Sequence, residues 1–220
     1  MRRIQPDLWE TRTESPFPGL TTHAYLLTRP DGNVLFYNTS HLDELEHMAE
    51  LGGVTYQFLS HRDELGPSLN TIATRFDTQL GGHIAEKADF ADVREPEIVF
   101  EDEKEIVSGV TVVPLPGHSP GSVAFDVTSS EGKRYLFTGD TLYRAAGGVW
   151  KAGFIPGHNT AEDGVLLAES LRRLRQLKPD LVIGSAFGAD EGFEEVSNEE
   201  WHHHIDRALH ELRAIAASDR

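Results

Sequence analysis

The sequence predicts a layered α/β domain, and three observations carry that prediction. Strand-length apolar runs separated by turn signals fill the middle of the chain. Capped amphipathic segments with helical spacing lie on either side of them. No linker, repeat or shift in composition breaks the 220 residues, so the chain reads as one domain over residues 1–220.

The elements follow in order. Residues 21–27 and 33–37 are apolar runs joined across Arg29-Pro30-Asp31-Gly32, whose Asp-Gly step is a strong hairpin signal. Residues 41–51 place Leu42, Leu45, Met48 and Leu51 at helical spacing, with Gly52-Gly53 as a stop. Residues 54–60 read as a short buried strand, 68–76 as a short helix and 82–86 as a strand. Five strands are expected at 97–100, 105–107, 111–115, 123–127 and 134–138. In the fourth of these, Val123, Phe125 and Val127 alternate with Ala124 and Asp126, the mark of one buried face. Thr160-Ala161-Glu162-Asp163 resembles a capping box ahead of a Leu167, Leu171, Leu174, Leu177 stripe. After a strand at 181–183, Ser197-Asn198-Glu199-Glu200 caps a helix with Trp201, Ile205, Leu209, Leu212 and Ile215 on one face.

Composition removes several function classes. The sequence holds 11 His and no Cys, which excludes disulfides, Cys-ligated zinc, iron–sulfur clusters and thiol nucleophiles. With 36 acidic against 20 basic residues, the formal charge is −16. A nucleic-acid partner requires a basic stripe to neutralise phosphates, and none is visible. No apolar run approaches the ~18 residues of a membrane span. Met1-Arg2-Arg3-Ile4-Gln5-Pro6-Asp7 has no apolar stretch behind its arginines, so no signal peptide is expected and the predicted location is cytoplasmic.

Polar residues of ligand type gather at the ends of predicted strands: Ser60-His61-Arg62-Asp63-Glu64, Pro116-Gly117-His118-Ser119-Pro120-Gly121, Thr138-Gly139-Asp140-Thr141, and Ile183-Gly184-Ser185-Ala186-Phe187-Gly188. A rigid strand positions such residues while leaving them accessible. Their order and spacing resemble the metallo-β-lactamase fold superfamily, which includes the glyoxalase II-like hydrolases. The Pro-Gly-His-Ser-Pro-Gly-Ser and Phe-Thr-Gly-Asp-Thr-Leu stretches carry most of that resemblance. It implies a four-layer αβ/βα sandwich, a metal-ligand His at His118 and a metal-bridging Asp at Asp140.

The resemblance also implies a reduced site. The family's His-x-His-x-Asp-His motif falls on His61-Arg62-Asp63-Glu64-Leu65-Gly66, and its final ligand His falls on Ala186. Leu65, Gly66 and Ala186 therefore replace the three ligands unique to the family's second metal site. His61, Asp63, His118 and Asp140 remain for one divalent ion, zinc first, with iron or manganese as alternatives. A one-residue shift would make Glu64 the ligand in place of Asp63. The implied activity is hydrolysis of a small ester, thioester or lactone, with Asp140 or Glu64 as general base because Leu65 cannot act as one. His158, Tyr143, Trp150 and Lys151, in the stretch after Asp140, are the substrate-pocket candidates, and a homodimer is the family's expectation.

Two other readings compete. A chain that kept the fold and lost the metal would be a non-catalytic binding protein. Gly117-His118-Ser119-Pro120-Gly121 is also a Gly-x-Ser-x-Gly string, which would make Ser119 a serine-hydrolase nucleophile if a helix followed it. The run Trp201-His202-His203-His204 is expected to be a solvated helix face, since adjacent helical side chains diverge.

Overall fold

The computed structural model describes residues 1–17 and 19–218. It contains two compact units, Met1–Glu101 and Asp102–Arg220.

The first unit runs β1 (Arg2–Gln5), β2 (Leu8–Glu10), β3 (Glu14–Phe17), β4 (Leu20–Thr22), β5 (Tyr25–Leu27), β6 (Val34–Phe36), α1 (Glu44–Glu50), β7 (Tyr56–Phe58), α2 (Ser68–Phe76), β8 (Gln79–His83), α3 (Lys87–Ala91) and β9 (Ile98–Phe100). Seven strands form one sheet in the order β1-β2-β5-β6-β7-β8-β9. β5 and β6 pair antiparallel across the Asp-Gly turn, while β6, β7, β8 and β9 run parallel. Parallel strands need crossovers, and the helices between them supply these. The helix at 68–76 is found as predicted. The run at 21–27 is instead divided between β4 and β5, because Thr11 and Ala24 exchange hydrogen bonds that draw the second half alone onto β2. The helix expected from 41 starts at Glu44, since His41 is held to the Thr13 carbonyl, 3.1 Å away. The strand expected at 82–86 lies earlier, at 79–83, and gives way to a 3-10 turn at Ile84–Glu86.

The second unit runs β10 (Lys104–Val107), β11 (Val110–Pro114), β12 (Val123–Thr128), β13 (Arg134–Gly139), β14 (Leu142–Ala145), β15 (Val149–Ala152), α4 (Ala161–Leu174), β16 (Leu181–Gly184), β17 (Ala186–Phe187), β18 (Phe193–Glu195) and α5 (Asn198–Ser218). Its main sheet has the order β10-β11-β12-β13-β16-β18. β14 pairs with β15, and with β17 through Arg144 and Phe187. The leucine stripe of α4 and the Trp201, Ile205, Leu209, Leu212 face of α5 share one core with Val113, Leu115, Ala124, Leu136 and Val182. Burying each such side chain contributes about 1.5–3 kcal/mol, which holds both helices on the sheet. Both capping boxes are formed: the Thr160 hydroxyl accepts from Asp163 N–H, and the Ser197 hydroxyl from Glu200 N–H.

The β14–β15 hairpin was not expected from sequence, where 141–159 reads as a loop. Gly147 and Gly148 both have positive φ and close the turn, and Val149-Trp150-Lys151-Ala152 forms the return strand. The His run also departs from a uniformly solvated face. His203 is exposed, but His204 is turned inward, with its Nε2 3.6 Å from Glu194 Oε2.

That burial sets a pH dependence. Removal from water holds the His204 imidazole below its usual pKa, assisted by Arg207 and His203 and opposed by Glu194. The unfolded chain therefore takes up this proton first, and stability falls as pH drops below the ordinary histidine value of about 6.5. Urea unfolding at pH 7 and pH 5 is expected to show a smaller loss of stability in His204→Gln than in the wild type. An equal loss in both would remove His204 as the cause.

Candidate metal centre

Each unit gathers ligand-type side chains at the C-terminal edge of its own sheet. In the first, β7 ends at Phe58, and the chain continues through Ser60 to His61 in extended conformation (φ −167°, ψ 169°). A 3-10 turn at Arg62–Glu64 follows and folds Glu64 back beneath His61. The Glu64 carboxylate is buried. It accepts from Ser60 N–H at 2.7 Å and from the Ser60 hydroxyl at 2.5 Å, and its Oε1 lies 3.3 Å from His61 Nδ1. Ser60 Oγ is itself 2.9 Å from His61 Nδ1. With Nδ1 engaged in this way, the imidazole presents Nε2, and that atom lies 3.8 Å from Asp63 Oδ2. Asp63 is 59% exposed, so its carboxylate stands at the surface of the turn.

Asn38, just beyond β6, ties this turn down. Its Nδ2 donates to the Glu64 carbonyl at 3.0 Å, and its Oδ1 accepts from the Ser68 hydroxyl and from Gln57 Nε2. A Cβ on Gly66 would lie 3.2 Å from that same Asn38 amide. Leu65 packs against Leu59, Leu69, Leu80 and Phe90.

In the second unit, His118 lies in the turn between β11 and β12. Gly117 has φ +130°, and a Cβ there would come 2.3 Å from Leu167 N, so the turn passes over α4 only because the residue is glycine. Asn159 Nδ2 donates to the His118 carbonyl at 3.0 Å, and the Ser170 hydroxyl to Pro116 O at 2.7 Å. His118 Nδ1 donates to the Gly153 carbonyl at 2.7 Å. This tautomer keeps the lone pair on Nε2, which is 4.0 Å from Asp140 Oδ2. Asp140 follows β13, whose parallel partner β16 ends at Gly184, so Asp140 and Ala186 meet at neighbouring strand ends. The Ala186 N–H donates to Asp140 Oδ1 at 2.9 Å.

The pocket candidates separate. Trp150 is a core side chain, fully buried, with its indole N–H on Glu194 at 2.6 Å, so it cannot line a pocket. Lys151 turns to α5, with Nζ 3.5 Å from Glu211. Tyr143 is half-buried and His158 exposed. Ser119 does not sit in a nucleophile elbow: its hydroxyl bonds Ser122 Oγ at 2.8 Å, and the chain continues into β12 rather than a helix. Sequence reading missed Ser60, Asn159 and Gly153 as supports of the two imidazoles. A small hydroxyl residue before His61 and a glycine within the stretch 141–159 were the signals available.

The family model for the metallo-beta-lactamase superfamily matches residues 2–185. The chain belongs to the metallo-β-lactamase superfamily. Solved structures of the same fold include a metallo-β-lactamase from Pontibacter korlensis (TM-score 0.72, 14% identity, covering 96% of this chain and 97% of that one). A metallo-β-lactamase family protein from Thermus thermophilus matches at TM-score 0.68 and 18% identity, over 96% of this chain and 80% of that one. A Cronobacter sakazakii metallo-β-lactamase described by a HARLDQ motif matches at 0.65 and 16%, over 94% and 96%. No curated protein matches the chain. The fold is thus the superfamily's α/β sandwich. Among the described residues, no helix is long and apolar enough to cross a membrane.

For this superfamily member, Gly153 is the tightest point of the candidate centre. A Cβ there would lie 1.7 Å from the Asp140 carbonyl oxygen and 3.1 Å from His118 Nδ1. Gly153→Ala must displace backbone, and overpacking of this kind costs about 1–3 kcal/mol or more. Thermal unfolding of this variant is expected at least several degrees below the wild type. An unchanged Tm would show that the segment yields freely.

Proposed function

We propose that the protein is a metal-dependent hydrolase with a single-metal centre, for which His61, Asp63 and His118 are ligand candidates and Asp140 is the fourth. Superfamily membership supports metal binding, and the donor set of two imidazoles and two carboxylates fits zinc, iron(II) or manganese. The observation that carries the single-metal reading is the Ala186 N–H on Asp140 Oδ1. This bond fixes the orientation of the Asp140 carboxylate, with Oδ2 4.0 Å from His118 Nε2, where it would serve one ion. Leu65 in an apolar cluster and Gly66 against the Asn38 amide support the same reading.

A bound divalent ion supplies Lewis acidity and lowers the pKa of water towards about 7. The protein's own groups do the rest. Glu64, held by both Ser60 donors, positions His61 and does not act as the base. Asp140 is the carboxylate that accepts a proton from the attacking water and returns it to the departing alkoxide or thiolate as the ester, thioester or lactone bond breaks. Tyr143 and His158 are the side chains left to contact a small-molecule substrate. A homodimer accords with the family.

Protein purified without a polyhistidine tag is expected to hold about one metal per chain. His61→Ala, Asp63→Ala and His118→Ala should lose most of it, and Glu64→Ala should weaken affinity about 10–100-fold as an outer partner of His61. His203→Ala serves as the exposed control. Metal-loaded wild type should hydrolyse members of a thioester and lactone panel, and Asp140→Asn should not. No metal uptake from zinc, iron(II) or manganese would overturn the proposal in favour of a metal-free binding protein.

A further inference from the structure

Glu194 of β18 is a meeting point for three elements of the second unit. Trp150 of β15 donates its indole N–H to Glu194 Oε2 at 2.6 Å. Arg144 Nε of β14 and His204 Nε2 of α5 each lie 3.6 Å from the same oxygen. Arg144 also donates from its Nη1 to the carbonyls of Glu191 and Phe193, which fastens β14 to the start of β18. A fully buried indole needs a partner for its N–H, and a carboxylate makes the bond strong.

This anchor reaches the His118 turn three residues further along. β15 is paired to β14 through Arg144 with Trp150 and Leu142 with Ala152, so its height is set by these pairs and by the Trp150 anchor. The next residue is Gly153, whose carbonyl receives His118 Nδ1–H and whose N–H donates to Thr141 O at 3.2 Å. With 1.7 Å between a Gly153 Cβ and the Asp140 carbonyl, this strand end has no room to take another position towards Asp140. The carbonyl that selects the His118 tautomer is thus carried by a strand whose anchor is the Trp150–Glu194 bond.

We propose that Trp150 and Glu194 are positioning residues for His118: they hold β15 so that the Gly153 carbonyl keeps the His118 proton on Nδ1 and its lone pair on Nε2. The assignment of His118 as a metal ligand rests on the function proposed above; the tautomer does not.

The test therefore reads the His118 tautomer in metal-free protein by 15N–1H correlation of the imidazole, and zinc affinity separately. Trp150→Phe keeps an aromatic ring in the core and loses the donor, and Glu194→Ala loses the acceptor. Both are expected to move His118 towards the Nε2–H tautomer and to weaken zinc binding about tenfold, the low end for an outer partner of a ligand. Glu194→Gln keeps an acceptor for the indole and should retain the wild-type tautomer. Val127→Ala, a cavity at the end of β12 far from the His118 turn, should lower Tm without moving it. An unchanged tautomer in Trp150→Phe and Glu194→Ala, or an equal shift in Val127→Ala, would overturn the proposal. If the wild type takes up no zinc, the proposed function falls, while the tautomer comparison still decides this one.

Discussion

A neutral imidazole has one lone pair, and the hydrogen bond made by one nitrogen decides which atom carries it. Both candidate imidazoles obey this constraint with their Nδ1 atoms, and much of the surrounding structure follows from it. His118 is served by a backbone carbonyl, which requires the end of β15 to approach within a distance that no side chain at 153 would allow. His61 is served by Ser60 and Glu64, which requires the chain to fold back in a 3-10 turn straight after β7. One ring is held by a rigid hairpin and the other by a buried carboxylate.

Leu65, Gly66 and Ala186 are absorbed into ordinary structure. Leu65 joins an apolar cluster, Gly66 leaves space for the Asn38 amide, and the Ala186 backbone takes up one oxygen of Asp140. Asn38 binds the turn from three sides, linking β6, β7 and the start of α2 to the Glu64 carbonyl.

Helices with clear spacing and caps were readable in the sequence because their signals are local. The stripe from Leu167 to Leu174, closed by Thr160 and Asp163, is found where its pattern places it. The same holds for the Ser68–Phe76 helix. Strand limits were less legible, since whether 21–27 is one strand or two depends on Thr11, thirteen residues before its partner Ala24. The hairpin at 142–152 was hidden for a related reason. Its alternation is short, and its turn glycines resemble loop glycines until the return strand finds its partner.

Sequence by itself determined the superfamily and the strand-end positions of His61, His118 and Asp140. These follow from residue identity and spacing along one chain. Tertiary structure decided which way each group faces. It moved Trp150 from a supposed pocket into the core, committed Glu64 to His61, joined Ala186 to Asp140, and turned one histidine of a helical run inward to Glu194. The reason is physical: a side chain's role depends on partners that are distant in sequence. Burial then makes those hydrogen bonds obligatory, because an unpaired polar group costs about 1–3 kcal/mol once water is excluded.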